Sequence, residues 1–213
     1  MFTGIITDIG TVERVAGGTN LKRLRIACSY DPATIAIGAS IACAGCCLTA
    51  IAVGGKAGAS WFEVEAAAET LRLTRVGTWQ KGTRINLERA LKIGDELGGH
   101  LVTGHVDALS EIISREEVTP SDVNWGATAR FTLRAPKPLH RFIAAKGSVA
   151  LDGVSLTVNL VEDDLFSVLL IPHTLAVTTF GARKAGNHVH LEIDMMARYA
   201  ARLAETAALA ERQ

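Results

Sequence analysis

The 213-residue chain lacks a charge excess, because 22 Lys and Arg residues balance 22 Asp and Glu residues. This balance argues against a dedicated nucleic-acid-binding protein, which normally carries a basic surface. The chain also lacks the run of roughly 18 apolar residues that a membrane-spanning helix needs. Its opening, MFTGIITDIG, has no basic leader before an apolar core. We therefore expect a cytoplasmic protein that binds neither nucleic acid nor a membrane.

Cysteine is scarce, and three of the four cysteines crowd into SIACAGCCLTA at residues 40–50. In the cytoplasm we expect all of them, including Cys28, to be reduced thiols. A structural zinc site needs four ligands, and no second C-x-x-C or C-x-x-H motif occurs. Alternation along the segment favours Cys43 and Cys46 as small buried residues. The pattern therefore indicates packing rather than a metal or thiol-redox site.

An internal repeat organises the chain. A shift of 108 residues, from 40 to 148, places SIACAGCCLTA over SVALDGVSLTV. Similar shifts align FTGII with VTGHV, ETLRLTRVG with HTLAVTTFG, and KGTRINLE with AGNHVHLE. Blocks that recur in the same order indicate two homologous halves, at residues 1–98 and 99–194. Cys47 aligns with Ser155, which indicates two related pockets with different chemistry.

The apolar pattern within each half is typical of short strands. GTVERV, KRLRIAC, WFEVEAAA and TRINLERA alternate or run apolar over about five to seven residues, with glycines between them. The spacing predicts an all-β fold with one small closed barrel in each half. Only residues 195–213 read strongly as helix, with Met196, Tyr199 and Leu203 at a 3–4 spacing. We expect that helix to dock on another surface, such as copies of itself.

Two histidines in GGHLVTGHVD are candidates for metal binding or proton transfer. His100 and His105 are five residues apart, so in a strand they point to opposite faces and do not readily chelate one ion, even with Asp107 nearby. His105 replaces the apolar Ile5 of the first half, at a place where a proton carrier is useful. We interpret His105 as a candidate base and His100 as a satisfied or surface histidine, and we predict no metal site.

These blocks together resemble the riboflavin synthase family, the trimeric type whose chain is a tandem duplication. The matching segments run from residue 1 to about 194 and comprise MFTGII, GASIACAGCCLT, ETLRLT, INLERALKIGDELGGHLVTGHVD, KGSVALDGVSLTVN, LLIPHTLAVTTFG and VHLEID. Ala44 departs from the family pattern, which often has asparagine before Gly45. The resemblance implies two six-stranded antiparallel barrels and a C-terminal helix through which three chains associate.

The resemblance also implies a transferase reaction, the final step of riboflavin biosynthesis. Two molecules of 6,7-dimethyl-8-ribityllumazine exchange a four-carbon unit and give riboflavin and 5-amino-6-ribitylamino-uracil, without a metal or redox cofactor. The active site is implied to lie between the N-terminal barrel of one subunit and the C-terminal barrel of its neighbour. Lumazine synthase is a candidate further partner. Two similar pockets suit two identical substrates, because holding both removes much of the entropic barrier.

Matched residue by residue, the resemblance implies one pocket in each half. The N-terminal pocket is expected to use the backbone of Gly4, Ile5 and Ile6 together with Ser40, Cys47, Leu48, Thr49, Glu69 and Thr70. The C-terminal pocket is expected to use Gly104, His105, Val106, Ser155, Leu156, Thr157, Ile171, Pro172, His173 and Thr174, with Lys146 and Asp194 as orienting groups. The threonines suit the pteridine edge, and Glu69 and Thr70 suit ribityl hydroxyls.

The chemistry requires a base for the 7-methyl proton of one substrate and a nucleophile for ring carbon 7 of the other. His105 is the candidate base, because its ordinary pKa lies near 6.5. The nucleophile stays open among Ser155, Ser40, Cys47 and a bound water.

The nearest rival interpretation is a non-catalytic relative that binds a lumazine or a flavin. Retention of the threonine in both halves, and of His105, Ser155 and Lys146 in the second, favours catalysis. A flavin- or nicotinamide-dependent reductase would need a G-x-G-x-x-G turn between a strand and a helix, and the sequence contains none.

Overall fold

The computed structural model describes residues 1–118 and 126–210, which form two closed six-stranded barrels followed by a helix. The first barrel contains β1 (Asp8–Gly17), β2 (Leu21–Cys28), β3 (Ser40–Cys43), β4 (Cys46–Lys56), β5 (Ala59–Ala67) and β6 (Arg84–Arg89). Its strands follow the order β1-β2-β5-β4-β3-β6 around the barrel, and all pairs are antiparallel. The short helix α1 (Ala68–Leu73) links β5 to β6.

The second barrel repeats this topology in the same cyclic order. It contains β7 (Ala108–Val118), β8 (Thr128–Arg134), β9 (Ser148–Leu151), β10 (Val154–Glu162), β11 (Leu165–Leu170) and β12 (His188–Ile193), with α2 (Pro172–Val177) between the last two. Single 3₁₀ turns occur at Pro32–Thr34, Arg75–Thr78, Leu139–Phe142 and Thr179–Ala182. The predicted all-β tandem fold is confirmed, while the exact boundaries 98/99 and 194/195 stay predictions.

Register shifts at matching places curve both barrels. They fall between Val12 and Arg14 in β1 and between Ile112 and Ser114 in β7, and again between Ala50 and Ala52 in β4 and between Val158 and Leu160 in β10. A bulge bends a strand and increases its twist, which a small closed barrel requires. The repeat therefore includes the β-bulges that allow each sheet to close into a barrel.

The cysteines lie where alternation placed them. Cys28, Cys43 and Cys46 are buried in the first barrel core, whereas Cys47 is half-buried, and all four are free thiols. Burial raises the pKa of Cys43 well above its ordinary value and that of Cys46 to about 12. These two thiols stay neutral and act as small apolar residues, as predicted.

The C-terminal helix α3 (Met195–Ala210) confirms the predicted helix over these residues, and residues 211–213 of that prediction lie outside the described part of the chain. The Asp194 carboxylate accepts a hydrogen bond from the Met196 N–H at 2.9 Å, which caps the first turn. Arg198 forms an ion pair with Asp107 at 2.6 Å, so the helix is tied to the second barrel. Its opposite face exposes three apolar side chains, Met196, Tyr199 and Leu203. No helix in the described ranges is long and apolar enough to cross a membrane.

Two tight turns meet where the barrels join. Ala44–Gly45 connects β3 to β4 and Asp152–Gly153 connects β9 to β10, and all four residues have positive φ. A Cβ atom on Gly45 would lie 2.7 Å from the Gly153 nitrogen, so only glycine allows the turns to touch. We call this contact region the joint.

Asn86 and His190, at matching positions of β6 and β12, extend the joint. Asn86 donates from Nδ2 to the Asp152 carbonyl at 2.9 Å and accepts from the Thr179 N–H at 2.8 Å. His190 Nδ1 lies 2.7 Å from the Ala44 carbonyl. His190 Nε2 accepts a hydrogen bond at 2.8 Å from the backbone N–H of Arg75, the residue that aligns with Thr179. These contacts fix a neutral imidazole with its proton on Nδ1, and burial lowers the His190 pKa.

One buried carboxylate makes the joint asymmetric. Asp152 replaces the Ala44 of the first turn and is fully buried. Its oxygens accept from Nη2 of Arg75 at 2.9 Å and from Nη2 of Arg183 at 2.7 Å. Burial alone would raise the pKa of Asp152, but the guanidinium groups of Arg75 and Arg183 and the hydrogen bond from the His190 backbone N–H outweigh it and hold that pKa below its ordinary value. The carboxylate therefore stays ionised between the two arginines.

Candidate functional site

The polar residues of each repeat share the outer face of a short hairpin. Cys47 and Thr49 alternate with Leu48 along β4, and Thr49 pairs with Ser40 across the hairpin. Side chains two residues apart on a strand point the same way, so Ser40, Cys47 and Thr49 face outward together. Ser155 and Thr157 occupy the matching outer face of β10.

Leu48 and Leu156 correct the sequence prediction. Both were expected in the pockets, but both are buried in the barrel cores. The physical reason is the two-residue period of a strand, which turns them away from the outward residues beside them. Their side chains therefore pack the barrels and do not line a surface site.

A cavity of about 250 Å³ opens beside Cys47. Its lining consists of Cys46, Cys47, Glu69, Thr70, Leu73, Thr74, Gly104, His105 and Val106. The Gly104 carbonyl accepts a hydrogen bond from the Cys47 N–H at 2.8 Å. A segment from the start of the second half thus completes the site on the first barrel. We call this cavity the N-terminal site.

The reverse contact forms on the second barrel. The Gly4 carbonyl accepts a hydrogen bond from the Ser155 N–H at 2.9 Å. A Cβ atom on Gly4 would lie 2.5 Å from the Ser155 Cβ, so glycine permits this approach. By correspondence with the N-terminal site in the repeat, we call the surface around Ser155, the segment from Gly4 to Ile6 and the start of α2 the C-terminal site.

The predicted grouping of the opening segments was therefore wrong. Gly4, Ile5 and Ile6 were expected with Cys47, and Gly104, His105 and Val106 with Ser155, but the structure exchanges the two segments. Phe2 and Val102 cross between the barrels and pair with each other, with N···O distances of 2.7 and 3.0 Å. The alignment assigned each segment to its own repeat, whereas the backbone of each one also bonds to the hairpin of the other barrel.

A buried glutamate anchors each crossing segment. Glu88 accepts from Thr3 N at 2.6 Å, Thr3 Oγ1 at 2.7 Å and Gly4 N at 2.9 Å. Glu192 accepts the matching three bonds from Thr103 and Gly104 at 2.6–3.0 Å. Burial raises the pKa of Glu88, and the hydrogen bonds from Thr3 and Gly4 oppose that shift. Both glutamates are buried, and each fixes the backbone of the segment that contributes to a site.

His100 is a site residue that sequence analysis missed, as are Cys46, Leu73 and Thr74 in the lining of the N-terminal site. His100 Nδ1 lies 2.7 Å from Ser155 Oγ, and the His100 backbone N–H donates to the Thr3 carbonyl at 3.1 Å. Burial lowers the His100 pKa, with Asp194 and Glu192 acting in the opposite direction. The only available signal was an imidazole in the segment that joins the two repeats.

The remaining predicted residues lie at the edges of the two sites. Glu69 is exposed on α1 and pairs with Arg72 at 2.6 Å, which lowers the Glu69 pKa. Ile171, Pro172, His173 and Thr174 form the start of α2, where Ile171 and His173 are exposed. Lys146 is exposed at a positive φ of 67°. Asp194 caps α3 and acts electrostatically on His100.

His100 and His105 contact different barrels. His100 contacts Ser155, whereas His105 is exposed and lines the cavity beside Cys47. In residues 1–118 and 126–210, no group of three His, Cys, Asp or Glu side chains is arranged to hold a metal ion.

The paired barrels and paired sites define a tandem-repeat binding fold, and comparison with known proteins gives its class. A family model described as the lumazine binding domain matches residues 3–90 and again residues 103–194. The riboflavin synthase of Brucella abortus (strain 2308) is 60% identical over 206 residues, which cover 96% of this chain and 98% of that protein. The riboflavin synthase of Photobacterium phosphoreum is 37% identical, with 95% and 88% covered.

The chain therefore belongs to the riboflavin synthase family, the family that its sequence blocks resemble. A solved structure of LumP complexed with riboflavin has a TM-score of 0.76 at 19% identity, and the match covers 91% of this chain and 99% of that one. LumP complexed with 6,7-dimethyl-8-(1'-D-ribityl) lumazine gives a TM-score of 0.74 at 18% identity, with 90% and 98% covered. At these identities the likeness shows the shared fold.

Proposed function

We propose that the protein is a riboflavin synthase that converts two molecules of 6,7-dimethyl-8-ribityllumazine into riboflavin and 5-amino-6-ribitylamino-uracil. The observation that carries this function is near-full-length identity of 60% to a curated riboflavin synthase. The duplicated site supports it, because the reaction needs two copies of one substrate in similar but unequal pockets. Cys47 in one site corresponds to Ser155 in the other, and His105 corresponds to Ile5.

The N-terminal site supplies groups suited to removing the 7-methyl proton. His105 is exposed beside the half-buried Cys47, and its backbone N–H donates to Thr103 Oγ1 at 3.3 Å. An imidazole at this place is a suitable base, because the electron-poor ring already acidifies the methyl group. Glu69, kept ionised by Arg72, and Thr70 line the same cavity, which supports their proposed role in binding ribityl hydroxyls.

The C-terminal site has an apolar rim. Ile5 and Ile171 are 46% and 55% exposed in the isolated chain. Such side chains favour contact with another surface, and a neighbouring subunit that brings a second bound substrate would provide it. Ser155, Thr157 and Thr174 supply the polar groups of this site.

We further infer a homotrimer with the active site between the N-terminal barrel of one subunit and the C-terminal barrel of the next. The support is the apolar face of α3, formed by Met196, Tyr199 and Leu203, which the chain itself leaves exposed. Sedimentation of the full chain at about three times 22.6 kDa would support this assembly. A cytoplasmic location, with its reducing conditions, and an association with lumazine synthase are further expectations of the same proposal.

The test is an assay of the purified full chain with 6,7-dimethyl-8-ribityllumazine as its sole small molecule. We expect riboflavin fluorescence to appear, with one riboflavin formed for every two lumazines consumed. Stoichiometric binding without conversion would instead identify a non-catalytic lumazine-binding protein. A requirement for an added pyridine nucleotide would indicate a reductase and contradict the proposal.

A further inference from the structure

We propose that His100 is a positioning residue of the C-terminal site that holds the Ser155 hydroxyl and takes up its proton, an inference that rests on the proposed function. His100 Nδ1 lies 2.7 Å from Ser155 Oγ. Both side chains are half-buried, so the pair lies at a surface that a ligand can reach. The pair resembles, in chemistry, a hydroxyl nucleophile with an adjacent general base.

The backbone around this pair is tightly constructed. The His100 N–H donates to the Thr3 carbonyl at 3.1 Å, and the Ser155 N–H donates to the neighbouring Gly4 carbonyl at 2.9 Å. One short segment, anchored by Glu88, therefore fixes both partners. A Cβ atom on Gly99 would lie 2.0 Å from the Thr3 carbonyl oxygen and 2.8 Å from the Ser155 Cβ. The backbone at Gly99 therefore packs directly against both Thr3 and Ser155.

The protonation state agrees with this geometry. Burial lowers the pKa of His100, and Asp194 and Glu192 only oppose that shift in part. The imidazole is therefore neutral near pH 7. With its proton on Nε2, Nδ1 accepts the hydrogen bond from the Ser155 hydroxyl and leaves the oxygen lone pairs of Ser155 directed to the site.

The reaction needs a nucleophile at ring carbon 7 of one lumazine, and the pair supplies it. As Ser155 Oγ bonds to that carbon, the O–H bond breaks and the proton passes to His100 Nδ1. The electron pair displaced from the ring double bond is taken up by the conjugated ring. When the Oγ–carbon bond later breaks, the proton returns from His100 to Ser155, so no further co-reactant is needed.

The pair also distinguishes the two sites. The C-terminal site has an imidazole bonded to its hydroxyl, whereas the N-terminal site has an exposed His105 beside Cys47. His105 is placed to remove a methyl proton, and His100 to generate a nucleophile. The substrate that accepts the four-carbon unit and the one that donates it therefore occupy different barrels.

The test compares steady-state rates of wild type, His100→Asn, Ser155→Ala and the double variant. Asparagine keeps a polar group near the position of Nδ1 but cannot take up a proton. We expect His100→Asn to lower kcat about 100-fold with little change in KM, and the double variant to be no slower than Ser155→Ala alone. Because His105 must also be unprotonated to act as a base, the acid limb of the wild-type pH profile should become shallower in His100→Asn without disappearing.

His188→Asn is the matched control, because His188 is exposed on β12 outside both sites. Nitrogen NMR of the wild-type protein tests the proton position without any variant, and Nδ1 should be unprotonated near neutral pH. A protonated Nδ1, a near-wild-type kcat in His100→Asn, or additive losses in the double variant would each overturn the inference. Absence of riboflavin from the wild-type reaction would instead overturn the proposed function.

Discussion

Asn86 and His190 occupy the same position in the two barrels and perform the same task with different chemistry. Each side chain reaches across the joint, donates to the carbonyl of the opposite turn and accepts from a backbone N–H. An amide always offers a donor and an acceptor, whereas imidazole offers both only when neutral. The fold thus requires the pattern of donor and acceptor, and only the second barrel makes that pattern depend on pH.

The two turns differ more strongly than the two side chains. Ala44 leaves the first turn uncharged, while Asp152 places a buried carboxylate between arginines from both barrels. The repeat therefore keeps backbone geometry at the joint and varies the charge. Three predictions follow this contrast in order of decreasing effect.

Removal of the Asp152 carboxylate should have the largest effect. Asp152→Ala leaves Arg75 and Arg183 without their shared partner, and breaking a buried pair typically costs about 3–5 kcal/mol. We expect a loss of this size in the free energy of unfolding measured in urea. Asp163→Ala is the matched control, because Asp163 also has positive φ, 52° against 45°, but is exposed. Equal losses in both variants would assign the effect to backbone strain.

Substitution of Glu88 or Glu192 should test whether the opening segment of each half completes the site on the other barrel. Glu88→Gln weakens the grip on Gly4, and an imperfectly satisfied buried group costs about 1–3 kcal/mol. We expect faster amide hydrogen exchange at Ser155, on the other barrel, with the Cys47 amide unchanged. Glu192→Gln should give the reverse result. Faster exchange confined to the barrel that carries the substituted glutamate would contradict the exchange of segments.

Acid sensitivity of the joint should have the smallest effect. The folded state lowers the His190 pKa below its unfolded value of about 6.5, so the unfolded chain binds the proton more readily. The stability that this histidine contributes is present above that pH and is lost as pH falls below it, at up to about 1.4 kcal/mol per pH unit.

Substitution by the residue of the other barrel provides the measurement. His190→Asn should keep stability within about 1 kcal/mol at pH 7.5 and should flatten the decline between pH 6.5 and 5. Asp152, Arg75 and Arg183 face the imidazole and remain in place. His188→Asn, an exposed change on the same strand, should leave the wild-type decline intact. A decline that persists in His190→Asn would assign it to other groups.

The sequence predicted the barrels, the repeat and α3 because each depends on a local period or on similarity between segments. Cys47 and Ser155 were selected because they align in the repeat, whereas stricter use of the alternation would have excluded Leu48 and Leu156. The crossing of the opening segments lay beyond this reasoning. Homologous barrels offer similar surfaces, so alignment cannot tell which one a segment packs on.

The contact between His100 and Ser155 was missed for a related reason. It joins residues 55 positions apart, one of them in the linker between repeats. A linker residue has no counterpart strand whose pattern could reveal its direction. Tertiary geometry alone turns this imidazole toward the hydroxyl.

The crossing of Phe2 and Gly4 onto the distant half has a consequence for biosynthesis. These residues precede Ser155 in the chain, so during synthesis the Gly4 carbonyl finds its partner only after Ser155 has been translated. Before Ser155 is translated, the opening segment lacks this contact, and the anchor available to Thr3 is Glu88. The C-terminal site is therefore completed only after the second repeat has been translated as far as Ser155.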